Sequence, residues 1–198
     1  MNTYTIVRKS DCFSWDNVPV LRMDNQLWTE PVSISATTQI CYDDEALYVR
    51  QQAFEDDVRA VNEGPLAEVS EDSCLEFFFA PKKGDIRYLN CEFSPNGSMY
   101  LGLGPNLPEL IRIIPETPSI FPKTEITENG WVLEYSIPHS YVRKFFPEWA
   151  PASGYSMRAN CFKCGDLTAH PHYLSWNYVD HPTPLFHCPQ CFGTMYFE

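Results

Sequence analysis

The chain has 198 residues and a formal net charge of -12, so a phosphate backbone or an anionic bilayer surface is an unfavourable partner. Hydrophobic content of 44% supplies a sizeable core, and one domain over residues 1–198 is expected without staples. Aromatic content of 15% and 17 prolines favour pleated, half-buried surfaces over long helices.

In chain order, Met1–Lys9 has neither an apolar signal core nor a small-residue cleavage site, and no later run approaches a membrane span. The expected compartment is the cytoplasm, or the cell exterior if a leader has been removed. Period-two alternation then begins. Ser33–Tyr42 places Ile34, Ala36, Ile40 and Tyr42 together, Asp43-Asp44-Glu45 turns, and Ala46–Phe54 returns as a strand. Glu55–Asp72 is acidic and reads as a long loop or a short helix.

Ser73–Ala80 puts Leu75, Phe77 and Phe79 on one face. In Ile86–Ser94 one face carries Leu89, Cys91 and Phe93, and the other carries Tyr88, Asn90 and Glu92. Asn96-Gly97 is the strongest hairpin turn, and Ser98–Leu103 returns from it. Gly102-Leu103-Gly104-Pro105 reads as a turn that opens no helix, so it is no phosphate loop. Leu110–Ile114 and Lys123–Thr127 are weaker strands, and Trp131–Ile137 is a strong one. Pro138–Phe146 is the single helical segment. Gly154–Lys163, His172–Val179 and Thr194–Glu198 complete an all-β antiparallel sandwich or jelly roll.

The cysteines admit a second architecture. Cys161-x2-Cys164 and Cys188-x2-Cys191 have the spacing of a four-thiolate zinc site, in a structural or protein-interaction domain. That site requires the strand to end by Cys161; if it runs through, Cys161 and Cys164 point to opposite faces. Without a signal segment, all eight cysteines are expected to be reduced. Calcium is a weaker reading, since Glu55–Asp72 lacks a dense Asp-x-Asp pattern.

Several phrases occur in a recognisable order. Glu71-Asp72-Ser73-Cys74-Leu75-Glu76-Phe77-Phe78-Phe79 is followed by Tyr88–Ser94 with its Asn96-Gly97 turn, then Trp131 and Ile137-Pro138. The tail adds Lys163-Cys164-Gly165-Asp166, His172-Tyr173-Leu174-Ser175-Trp176 and Phe186-His187-Cys188-Pro189-Gln190-Cys191-Phe192-Gly193. Together they resemble the family 9-like carbohydrate-binding modules. The resemblance implies a β-sandwich that grips one or two sugar units at a chain end, with tryptophans and polar side chains, and does no chemistry. Some members carry structural calcium. This chain departs from the pattern at Cys188, where a basic residue is usual, and at Cys191.

A sugar needs an aromatic plate and side chains that donate and accept hydrogen bonds. Strand parity offers Glu76, Asn90, Glu92, Arg158 and Asn160 as a polar face, against the simpler reading of a solvated surface. Trp176 is the expected plate, with burial in the core as its alternative. Lys163 and His187 are expected donors. Glu76 and Glu92 on adjacent strands also have the composition of a glycosidase pair, but nothing else in the sequence supports catalysis. The expected function is non-catalytic carbohydrate binding that requires no cofactor.

Overall fold

The computed structural model describes residues 1–198. Strand β1 (Thr3–Arg8) is followed by short β2 (Leu21–Arg22) and β3 (Asn25–Gln26), then by the hairpin β4 (Ser35–Tyr42) and β5 (Ala46–Phe54). Beyond the acidic stretch come β6 (Cys74–Ala80), β7 (Tyr88–Phe93), β8 (Met99–Gly104), β9 (Ile111–Arg112), β10 (Lys123–Thr127) and β11 (Gly130–Pro138). Helix α1 (His139–Arg143) precedes β12 (Ser156–Cys164), β13 (Tyr173–Ser175) and β14 (Gly193–Phe197). No helix is long and apolar enough to cross a membrane.

The strands hydrogen-bond in the order β10-β11-β5-β4-β1-β14-β12-β6-β7-β8-β9. This path curls into a sandwich because each half has one apolar parity to bury. Ile40, Val49 and Leu133 from one half meet Leu75, Phe77, Phe79, Leu89 and Phe93 from the other in a cluster of 35 buried residues. Burying a side chain of this kind contributes about 1.5–3 kcal/mol, so the shared apolar parity is the main source of cohesion between the halves.

Strand β1 is the seam. Its first half pairs with β14 from Thr3↔Thr194, and its end pairs with β4 at Val7↔Cys41; both pairings are parallel. All other pairings between the named strands are antiparallel, as the sequence predicts. Only Tyr4 and Ile6 are inward apolar residues in this strand, too short an alternation to mark it from sequence.

Other expectations shift for local reasons. The acidic stretch contains a single 3-10 turn at Val69–Glu71 and no α-helix. The helix expected over 138–146 contracts to five residues beginning after Pro138, and Pro147 disfavours helical backbone at Phe146. The turn read at Gly102–Pro105 is instead the end of β8. Gly102 lies opposite Asn90, and a Cβ there would meet Asn90 Oδ1 at 2.5 Å and Leu110 Cδ2 at 2.7 Å. The glycine is required by close packing within a strand. Gly97, at φ 83, supplies the turn between β7 and β8.

The outer face of β6, β7, β8 and β12 is also covered. Phe78, Tyr88, Tyr100 and Phe162 join Leu27, Val69, Val179, Phe186 and Phe192 in a second buried cluster. Much of that cover is the segment 165–192, irregular for most of its length apart from β13. It is tied down by backbone hydrogen bonds from Asp166 to Ser70 at 2.9 Å and from Leu167 to Glu71 at 3.2 Å.

Candidate functional site

Where this cover is incomplete, a cleft of about 250 Å³ opens onto the outer face. Its floor follows from strand register. Phe162 lies opposite Glu76, Glu76 opposite Glu92, and Glu92 opposite Tyr100, a row crossing β12, β6, β7 and β8. Side chains directly opposite sit about 4.5–5.5 Å apart at Cβ. Glu76, Glu92 and Tyr100 from this row line the cleft, with Cys164 beside them. The walls are Glu68–Ser70, Arg112, Asp166, Tyr173 and Pro184–His187.

Two kinds of surface meet there. Tyr100, Tyr173 and Phe186 present aromatic rings, and Phe186 stacks on Phe162 with centroids 4.2 Å apart. Trp28 braces the wall from behind, edge-on to Tyr173 at 5.6 Å and tilted against Phe186 at 5.6 Å. Its backbone is held at φ 60, and its indole N–H donates to the carbonyl of His181 at 2.6 Å. A bulky residue in the left-handed region is sustained only by such surroundings.

The polar surface is largely acidic. Burial pushes the Glu76 carboxyl well above the usual carboxylate range, with Cys164 and Glu92 adding to the effect. Burial lifts Glu92 to about 8, against an opposing hydrogen bond from Asn90. Asp166 is also raised by burial. Cys164 Sγ donates to Glu76 Oε1 at 3.0 Å, and Asn90 Nδ2 donates to Glu92 Oε1 at 2.8 Å. Arg112 pairs with Glu68 at 3.0 Å and lies 4.7 Å over the Tyr100 ring. His187 bonds Tyr88 through Nδ1 at 2.7 Å, and its Nε2 stands 3.8 Å from Glu92. Burial lowers His187 to about 4, so at neutral pH this last contact is not an ion pair.

Of the residues singled out in the sequence, Glu76, Glu92 and His187 line the cleft, and Asn90 lies directly behind Glu92. The others serve elsewhere. Trp176 is 6% exposed, packed in the main core edge-on to Tyr4, with no free ring face to offer. It shares strand parity with buried Leu174, which sequence alone could have signalled; Tyr173, of opposite parity, faces the cleft. Lys163 is fully buried, and its ammonium reaches Glu55 at 3.2 Å, His172 Nε2 at 2.7 Å and the Cys164 carbonyl at 2.9 Å. All three of its donors are used, so none is left for a ligand. Asn160 brackets the backbone of Asn177, accepting from its N–H at 2.9 Å and donating to its carbonyl at 3.0 Å. Arg158 donates to the carbonyls of Gln190 and Phe192, pinning the tail.

The cysteine quartet does not converge. Strand β12 runs through to Cys164, so Cys161 enters the main core while Cys164 enters the outer cluster with Cys188. One group of metal-ligating side chains does gather: Cys74, Glu76 and Cys164, with ligating atoms within 4.8 Å of one another. The acidic stretch gathers no comparable set.

Sequence reasoning missed Tyr100, Arg112, Tyr173 and Phe186 as cleft residues. Tyr173 and Phe186 lie inside the quoted tail phrases, next to residues that drew attention instead. Arg112 carried no signal, because its place depends on β9 folding back on β8 at Gly102↔Arg112.

A β-sandwich whose outer face holds a small cleft with aromatic walls and a polar floor has the form of a small-ligand-binding module. The chain belongs to carbohydrate-binding family 9, whose model matches residues 9–197. It is similar to a candidate carbohydrate-binding protein from Bacteroides uniformis, with 26% identity, 99% of each chain covered and a TM-score of 0.84. The fold is shared with a family 9 module from Caldicellulosiruptor kristjanssonii solved with cellotriose, at 13% identity and a TM-score of 0.69, covering 100% of this chain and 94% of that one. The glucose complex of a family 9 module from the same organism gives 13% identity, a TM-score of 0.71, and 100% and 96% coverage. No curated protein matches the chain.

Proposed function

We propose that the cleft over Glu76 and Glu92 is the carbohydrate site of this family member, and that it holds one or two sugar units. The observation that carries this reading is the pair of buried carboxyls lying side by side in a cleft that Tyr100, Tyr173 and Phe186 also line. Apolar sugar faces pack on rings while hydroxyls exchange hydrogen bonds with the carboxyls and Arg112. A volume of about 250 Å³ is below the roughly 300–1,000 Å³ of pockets for drug-sized ligands, which favours a chain end over the length of a polymer. Glucose and cellotriose, held by the Caldicellulosiruptor modules, are the ligands to try first.

The same carboxyls argue for binding without turnover. A glycosidase pair needs one ionised and one protonated carboxyl at working pH. Here burial holds both Glu76 and Glu92 toward the neutral form at pH 7. Neutral carboxyls donate as well as accept, which suits hydroxyl recognition.

Calorimetric titration with glucose, cellobiose and cellotriose tests the site. Tyr173→Ala is expected to weaken binding about tenfold or more, in line with roughly 1–3 kcal/mol for a truncated aromatic contact. Binding at full strength in both Tyr173→Ala and Glu92→Gln would place the sugar elsewhere.

A further inference from the structure

We propose that Cys74, Glu76 and Cys164 form a binding site for one thiophilic divalent metal ion, zinc by preference, at the bottom of the cleft. Cys74 and Cys164 are directly opposite each other on antiparallel β6 and β12, so both thiols project from the same face at the same level. Glu76 is two residues along β6 and shares that face. The three ligating atoms already lie within 4.8 Å of one another, and Cys164 Sγ is 3.0 Å from Glu76 Oε1. Tetrahedral zinc with Zn–S bonds of about 2.3 Å separates its sulfur ligands by about 3.8 Å, so rotamer adjustment is enough to close the set.

Donor chemistry selects the metal. Two thiolates and one carboxylate suit zinc and disfavour calcium or magnesium, which take oxygen ligands. The local charge balance agrees. Glu76 has no ion-pair partner, while the nearby cations are engaged elsewhere, Arg112 with Glu68 and Lys163 with Glu55. A buried carboxyl without a counter-charge is costly, and a dication supplies one. On binding, the two thiol protons and the proton of the Glu76 carboxyl leave to solvent, and the sulfur and carboxylate lone pairs form the metal bonds, so affinity falls with acid. Glu76 and Cys164 line the cleft, so the fourth coordination position opens toward it, available to water. The site does not depend on the sugar reading.

The test is a cobalt titration of the whole chain, stripped with chelator and kept reduced by a phosphine, followed by optical absorption. One equivalent is expected to produce a thiolate-to-cobalt charge-transfer band with tetrahedral visible bands, and one equivalent of zinc should abolish both. The bands should vanish in the Cys74→Ser, Cys164→Ser double variant and persist in Cys188→Ser, Cys191→Ser. Glu76→Gln should keep the charge-transfer band at weaker affinity. Absence of the band in wild-type protein, or its loss with Cys188 and Cys191, would overturn the site. If the Cys74, Cys164 variant fails to fold, X-ray absorption of zinc-loaded wild type decides. A shell of two sulfurs with lighter atoms supports the site; four sulfurs or none refutes it.

Discussion

The two faces of β6, β7 and β12 are both buried, but by different means. The inner face, with Phe77, Phe79, Leu89, Phe93 and Cys161, closes against the facing half of the same sheet, and regular pleating makes the fit. The outer face, with Glu76, Phe78, Asn90, Glu92 and Phe162, is covered by the mostly irregular stretches on either side of β13 within 165–192 and by the turn around Val69. A pleated cover excludes ligand; an irregular cover can leave a cleft. The cleft therefore opens where the second layer is a loop held by specific hydrogen bonds rather than a strand.

Truncation on the inner face should show the largest effect. Phe77→Ala is expected to cost about 3–5 kcal/mol, read by urea denaturation, and to lose sugar binding only through loss of fold. If it left stability unchanged, the inner face would not be the principal core.

Lys163 provides a sharper cut, because the sequence made it a ligand donor and the structure makes it an internal cation. Lys163→Met should lower stability by about 3–5 kcal/mol by leaving Glu55 buried and unpaired. Adding Glu55→Gln should recover much of that loss. Unchanged sugar affinity in the folded double variant would separate Lys163 from the site; weakened affinity in that variant would restore it as a contact.

The outer face should also betray itself through pH. Glu92 binds its proton more tightly folded than unfolded, since burial raises it to about 8 from the ordinary value of 4.5. Its protonated form therefore favours the fold fully below about pH 4.5, and that contribution is lost as pH rises through 8. Glu92→Gln removes this dependence. The variant and wild type should be matched at pH 4, and the variant should be more stable by roughly 4–5 kcal/mol at pH 9. Parallel stability curves would mean that Glu92 is better solvated than the cleft geometry implies.

The smallest effect is reserved for the tail. Arg158→Gln removes donors to the Gln190 and Phe192 carbonyls at a partly exposed position and should cost about 1 kcal/mol. Hydrogen exchange should accelerate in 186–192 while β6 and β7 stay protected.

Much of the fold was legible because alternation is local. Ala46–Phe54 and Lys123–Thr127 appear with the bounds that the pattern predicts, and the parity of Leu75, Phe77 and Phe79 names the inner face. The site was only partly legible. Glu76 and Glu92 could be read as neighbours on one polar face, because their strands are joined in sequence and paired in register. Trp176 drew the stacking role by residue type, whereas its parity with Leu174 places it in the core. Tyr100, Arg112, Tyr173 and Phe186 converge from four separate stretches of chain, and no local pattern brings them together.

Sequence by itself determined the all-β class, most of the strands, which parity faces inward and, through ordered phrases, membership of carbohydrate-binding family 9. Only the tertiary structure decided that β1 joins both halves in parallel, that Cys161 and Cys164 part to opposite faces, and that Cys164 meets Cys74 and Glu76 instead. The physical reason is range. Alternation and turn chemistry act over a few residues, so they are written along the chain. Register between distant strands, and the route of an irregular cover, are set by burying many separated groups at once.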